Sequence, residues 1–132
     1  MEVSSPARRW IETYERAWEA LDAEAIAALY ADDAVHRSTP FRSPHLGPEG
    51  VFEYTRAAFA EEAYEDVRFG EPVEDGDRAA VEYWATMVEA GRKKTLAGCV
   101  VLRFDGVGLV TESRDYWHLE EGARSPPEGW GR

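Results

Sequence analysis

The chain has 132 residues, 44% hydrophobic and 12% aromatic, which supports one domain with a genuine core and argues against disorder. Acidic residues outnumber basic ones by 26 to 15, and the net charge of −11 repels phosphate backbones and anionic membranes, so neither nucleic acid nor membrane is an expected partner. Cys99 stands alone, which excludes an internal disulfide framework and a cysteine-based zinc site. The first third has helical periodicity. Ser5 fits an N-cap with Pro6 at the first helical position, and Trp10, Tyr14, Trp18 and Leu21 recur on one predicted buried face. Asp22 can cap a second helix running through Tyr30, with Ile26, Leu29 and Tyr30 on its apolar side. A short strand, Ala34 to Ser38, is expected next, then a loop from Thr39 to Gly47. Pro48 opens a third helix in which Val51, Phe52, Thr55, Ala58 and Phe59 repeat at helical spacing.

The period then changes. Val67, Phe69 and Val73 form an extended segment ended by a turn at Asp75-Gly76, and Ala79 to Val88 reads as the next strand. Thr95 to Phe104 is nearly all apolar, as for a central strand covered on both faces, and the turn at Asp105-Gly106 leads into a last strand, Leu109 to Leu119. Helices followed by consecutive strands imply an α+β fold with the helices packed on one face of a mainly antiparallel sheet. Residues 1–120 form the predicted domain, and 121–132, with Pro126-Pro127 and three glycines, an irregular tail. Met1 to Trp10 lacks the apolar stretch of a leader, and Leu96 to Leu102 is far short of the roughly 20 residues of a membrane helix, so a cytoplasmic location is expected. No Asn or Gln occurs, and Lys93 and Lys94 are the only lysines. That bias fits either a heat-tolerant source or a GC-rich genome.

Two segments resemble a known superfamily. Ile26 to Val35, followed by Pro40 and Gly47 before a helix, is similar to nuclear transport factor 2-like proteins. The ending from Gly108 through Arg114-Asp115-Tyr116-Trp117 resembles their SnoaL-like, polyketide cyclase-like branch, to which limonene epoxide hydrolase and ketosteroid isomerase are distantly related. The resemblance implies a cone-shaped cystatin-like fold, in which three N-terminal helices pack into a strongly bent sheet around an apolar pocket. It also implies frequent dimerisation through the outer sheet face. It does not select a chemistry, because this superfamily hosts enzymes, carriers and interaction modules.

Strand alternation sorts the candidate residues. If Asp115 points into the cone, Ser113 and Trp117 accompany it, while Arg114, Tyr116 and His118 face out. The resemblance places His36 and Ser38 inside, together with Val81, Tyr83, Ala85 and Met87. That leaves Trp84 and Tyr116 outward, where exposed aromatics suit a homodimer interface. In the run Arg114-Asp115-Tyr116-Trp117, the position of Asp115 resembles that of a catalytic aspartate in limonene epoxide hydrolase. Desolvation would raise its pKa and fit it for acid–base work, unless it is instead paired with Arg114 or another arginine. The resemblance sets the remaining epoxide hydrolase groups at Val81, Tyr83, His36 and Ser38, which leaves no Arg–Asp pair to orient an attacking water, so that mechanism is not expected. Tyr14 falls where ketosteroid isomerase carries its oxyanion-hole tyrosine, but the two carboxylates that enzyme needs are replaced by Ser38 and Val100.

His36 could act as acid or base with Asp115 setting its tautomer, or it could be a strand-end histidine bonded to loop backbone. Asp115, His36 and Tyr14 are thus the catalytic candidates, and Trp18, Tyr30, Ser38, Phe52, Tyr83 and Trp117 the substrate-binding ones. His45 is placed at the pocket rim. Ser113 lacks an evident activating neighbour, and Glu61-Glu62 and Glu74-Asp75 read as solvated surface. No HExxH, phosphate-loop or dinucleotide motif occurs, so neither metal nor cofactor is expected. The expected function is that of a SnoaL-like protein with a pocket for a small hydrophobic molecule, able to serve as a cofactor-independent cyclase, isomerase or dehydratase. The alternative is a non-catalytic ligand-binding or dimeric interaction module.

Overall fold

A computed structural model describes residues 4–132, so the first three residues of the stretch scanned for a leader lie outside the described residues. Helix α1 spans Pro6–Glu19, and the Ser5 hydroxyl accepts from the Arg8 N–H at 3.2 Å. Trp10 and Trp18 are buried, with Tyr14 stacked on Trp10 at 4.5 Å between ring centroids and edge-on to Trp18 at 5.5 Å. Leu21 departs from the expected buried face. The helix has already ended, Leu21 takes φ 57°, and its side chain is exposed. Asp22 caps α2 through the Ala25 N–H at 3.0 Å, but α2 covers only Ala23–Ala27. The Leu29 carbonyl accepts from Val110 N–H, and Tyr30 opens strand β1, Tyr30–Arg37. Sheet pairing therefore overrides the helical propensity of this run, and the strand starts four residues before the expected Ala34.

Strand β2 is His45–Leu46, and α3 runs Gly47–Phe59. Gly47 has φ +67°, and a Cβ there would lie 3.0 Å from the Asp32 carbonyl oxygen, so this entry to α3 is fitted to glycine. The remaining strands are β3 (Glu62–Phe69), β4 (Val73–Asp75), β5 (Arg78–Glu89), β6 (Arg92–Phe104) and β7 (Val110–Glu121). They form a curved, unclosed seven-stranded sheet in the order β2-β1-β7-β6-β5-β3, with β4 also paired to β5. Among the described residues only the β1–β7 pairing is parallel. Register shifts in β1, β3 and β6 bend the sheet. Ile26, Val51, Val81, Leu102 and Val110, all nearly inaccessible, fill the space between the helices and the concave face. This is the α+β cone that the sequence implies.

The convex face differs from expectation in two ways. Ala97, Cys99 and Val101 on the convex face of β6 are only half-buried, so this central strand is not covered along its whole length on both faces. Trp84, expected to lie open for a second copy, is covered by its own chain. Its indole N–H donates to the Arg124 carbonyl at 2.8 Å, and Trp130 packs edge-on against it at 6.0 Å. The tail, irregular in backbone, is further tied by Thr95 Oγ1 to the Gly122 carbonyl and by Glu71 N–H to the Gly131 carbonyl. Among the described residues no helix is long and apolar enough to cross a membrane.

Candidate active site

Between α1, α3 and the concave sheet lies a cavity of about 220 Å³. Its walls are mostly aromatic: Trp10, Tyr14 and Trp18 from α1, Tyr54 and Phe59 from α3, and Tyr64 and Phe69 from β3. Asp115, His36, Tyr30, Tyr83 and Trp117 all reach it from the sheet, and no Lys or Arg lines it. The structure thus brings the three catalytic candidates, Asp115, His36 and Tyr14, to one cavity.

Asp115 on β7 accepts a hydrogen bond from the Tyr83 hydroxyl at 2.6 Å, reaching across β6 from β5. Gly98 makes that reach possible. It stands between Tyr83 and Trp117 in the register, and a Cβ there would fall 2.5 Å from the Tyr83 hydroxyl oxygen. Burial raises the Asp115 carboxyl to about 7, with the Tyr83 hydroxyl and the Tyr116 backbone N–H pulling the other way. The partner of Asp115 is thus Tyr83 and not His36. Nor is Asp115 an arginine anchor, because Arg114 pairs with Glu112. Burial, the nearby Asp115 charge and their hydrogen bond all raise the Tyr83 phenol, which therefore stays protonated.

His36 on β1 sits opposite Ser113 in the parallel β1–β7 register. Its Nδ1 lies 2.5 Å from Ser113 Oγ, and the Tyr30 hydroxyl lies 3.2 Å from the same oxygen. The partner of the His36 ring differs from both sequence expectations: a serine positions it, rather than Asp115 or loop backbone. The reading of Ser113 as lacking a neighbour is likewise corrected. Ser113 is fully buried, however, and does not open onto the cavity. Burial, with His45 nearby, lowers the His36 imidazole to about 4, so it is neutral at physiological pH.

Ser38 and Phe52 do not line the cavity. Ser38 is buried below the rim, where its carbonyl accepts the Trp117 indole N–H at 2.8 Å and so orients that ring. Phe52 falls short because α3 contributes only from Tyr54 onward. Tyr54 stacks on His45 at 4.3 Å between centroids. Glu62 also corrects the sequence reading. As the first residue of β3 it turns inward, accepts from the Tyr64 hydroxyl, and is raised by burial. Glu89, also at the cavity, pairs with Lys94 at 2.8 Å, which lowers its carboxyl. The sequence reading does not single out Gly98 or Tyr54. A glycine inside an otherwise apolar strand was the available signal for Gly98. Among the described residues no three His, Cys, Asp or Glu side chains cluster closely enough to hold a metal ion.

Residues 7–113 match the model of the SnoaL-like domain family. No curated protein matches the sequence. Among solved structures, RV0760c from Mycobacterium tuberculosis is similar over 92% of this chain and 100% of its own, with TM-score 0.79 and 24% identity. A limonene epoxide hydrolase-like epoxide hydrolase of M. tuberculosis is similar over 86% of this chain and 83% of its own, with TM-score 0.70 and 22% identity. SalBIII, an epoxide hydrolase/cyclase-like enzyme with a role in pyran ring formation in the polyether salinomycin, covers 87% of this chain and 95% of its own, with TM-score 0.75 and 16% identity. At these identities the likeness is one of fold.

Proposed function

The chain belongs to the SnoaL-like domain family of the nuclear transport factor 2-like superfamily, and from that premise we propose that its cavity binds a small hydrophobic carbonyl compound and moves protons on it without a cofactor. The observation that carries this reading is the Tyr83–Asp115 hydrogen bond in an aromatic cavity free of cationic side chains. A carboxyl near 7 is about half ionised at neutral pH, and its conjugate base is strong enough to take a proton next to a carbonyl. Tyr83 holds that carboxylate in place, so it is not free to bond the substrate. Tyr14, on the cavity, is the group that would bond the developing oxygen, and His36, also on the cavity, is a second group able to move a proton on the ligand. Such a set suits a cyclase, isomerase or dehydratase. Epoxide hydrolysis by paired carboxylates is disfavoured because Val100, opposite Asp115 on β6, and Val81, next in register on β5, are apolar.

The test does not require the natural substrate. Apolar cyclic ketones that quench the tryptophan fluorescence are incubated with the protein in heavy water, and deuterium entry beside the carbonyl is followed by NMR. Exchange that depends on the protein and on Asp115 supports the proposal. No exchange with any ketone that binds would leave the non-catalytic binding module, the reading favoured by the absence of a second carboxylate beside Asp115. A homodimer on the convex face is part of the same proposal, resting on Tyr116, which is 47% exposed there. Light scattering that finds a monomer at micromolar concentration removes it.

A further inference from the structure

Ser113, Tyr30 and His36 form a contiguous polar chain beneath the cavity wall, separate from the Tyr83–Asp115 pair. Its middle member is fully buried, while both ends, Tyr30 and His36, line the cavity. The imidazole bonds Ser113 through Nδ1, so Nε2 lies on the far side of the ring and has no hydrogen-bond partner among the described residues. A serine hydroxyl carries one hydrogen and two lone pairs, and a neutral imidazole carries one N–H. Two arrangements therefore satisfy the chain. In one, Nδ1–H donates to Ser113 Oγ, Ser113 donates to Tyr30, and the Tyr30 hydrogen is turned to the cavity while Nε2 is an acceptor. In the other, Tyr30 donates to Ser113, Ser113 donates to Nδ1, and Nε2 carries the hydrogen.

We propose that Ser113 is the buried middle of a neutral proton relay, which lets the cavity take a proton from one atom of a bound carbonyl compound and return one to another. The relay rests on the acid–base reading given above and deepens it. The step balances. Nε2 accepts a proton from the ligand, the Nδ1 proton passes to Ser113 Oγ, the Ser113 proton passes to the Tyr30 oxygen, and the Tyr30 proton passes to the ligand oxygen. The ligand is left a tautomer of itself, the protein chain is left in its other arrangement, and no net charge is created. Proton exchange with solvent water at Nε2 and Tyr30 restores the first arrangement. This suits a site whose depth penalises charge: burial keeps the imidazole neutral and raises the Tyr30 phenol, so an ion at either end is avoided. Tyr30 and His36 meet the ligand, whereas Ser113 acts only through them and is a positioning residue.

The test reads the histidine itself, in the ligand-free full chain, by nitrogen-15 NMR of the imidazole near pH 7. In the parent both tautomers are populated, so the His36 ring nitrogens resonate at partly averaged positions. In Tyr30→Phe the Ser113 hydrogen has only Nδ1 left to accept it. The averaging should be lost, with Nε2 moving to the pyrrole-type extreme and Nδ1 to the pyridine-type extreme. Ser113→Ala, which removes only a hydroxyl, serves as the second variant and should also abolish the averaging. A parent already locked in one tautomer, a ring charged near pH 7, or resonances unmoved by both variants would overturn the relay. None of these results bears on Asp115. Conversely, the loss of ketone exchange in an Asp115 variant is silent about Ser113, so the two proposals fail separately.

Discussion

Asp115 and Glu89 line the same cavity, yet the fold treats their carboxyls in opposite ways. Glu89 stands at the end of β5 with Lys94 Nζ at 2.8 Å, and that hydrogen bond lowers it. Asp115 meets a phenol and a backbone N–H but no cation, and burial raises it to about 7. Lining a cavity does not by itself make a carboxyl basic. Removal of water without a compensating charge does. The β5–β6 hairpin supplies the cation beside Glu89, whereas the residues in register with Asp115, Val100 on β6 and Val81 on β5, are apolar.

The sharpest way to break this contrast is Asp115→Asn, which should lower the ketone exchange rate by about 10²–10⁴-fold, the usual contribution of a positioned base. The same variant should alter stability with a definite sign. A carboxyl raised from 3.8 to about 7 holds its proton in the folded state across a range where the unfolded chain has lost it. The parent therefore loses stability as pH rises through that window, by a few kcal/mol at about 1.4 kcal/mol per unit. His36 works the other way. Lowered from 6.5 to about 4, it contributes stability above pH 6.5 that is lost as pH falls toward 4. The two slopes oppose each other in the parent. Thermal melts should then show Asp115→Asn more stable than the parent at pH 8 and more acid-labile below pH 6.5, with His36→Asn showing the reverse tilt. Parallel melting profiles for all three proteins would contradict both burial arguments.

Gly98→Ala is a smaller perturbation. The new Cβ pushes the Tyr83 hydroxyl off Asp115, which should raise the Asp115 midpoint further and cost about 1–3 kcal/mol of overpacking, read from denaturant unfolding. Smallest of all is Lys94→Met. It should bring Glu89 back toward the ordinary carboxylate range, with little change in melting temperature because both groups keep part of their surface in solvent.

Which of these features the sequence carries follows from how local they are. Helix α1 was readable because Ser5, Pro6 and the Trp10–Tyr14–Trp18 spacing all act within a few turns. Strands β5 to β7 were readable because their turns, Ala90-Gly91 and Asp105-Gly106, interrupt clean runs. The early start of β1 was not, since only pairing with β7, some eighty residues away, pulls Tyr30 out of a helix-favouring run. The site divides in the same manner. Alternation grouped Trp117 with Asp115, and the family resemblance placed Tyr83 with them on the concave face. Which groups bond there depends on Gly98 letting Tyr83 cross a strand and on the β1–β7 register setting His36 beside Ser113. The tail over Trp84 is also non-local, and its glycines and prolines gave no hint that Trp130 packs there.

The central claim, that Asp115 is a desolvated carboxyl without a counter-ion, is tested most directly by carbon-13 NMR titration of its side-chain carboxyl in the intact protein. A midpoint near 7 that rises in Tyr83→Phe, where the stabilising phenol bond is gone, is the result the account requires. A midpoint near 4, unmoved by that substitution, would show a solvated or ion-paired Asp115 and contradict it.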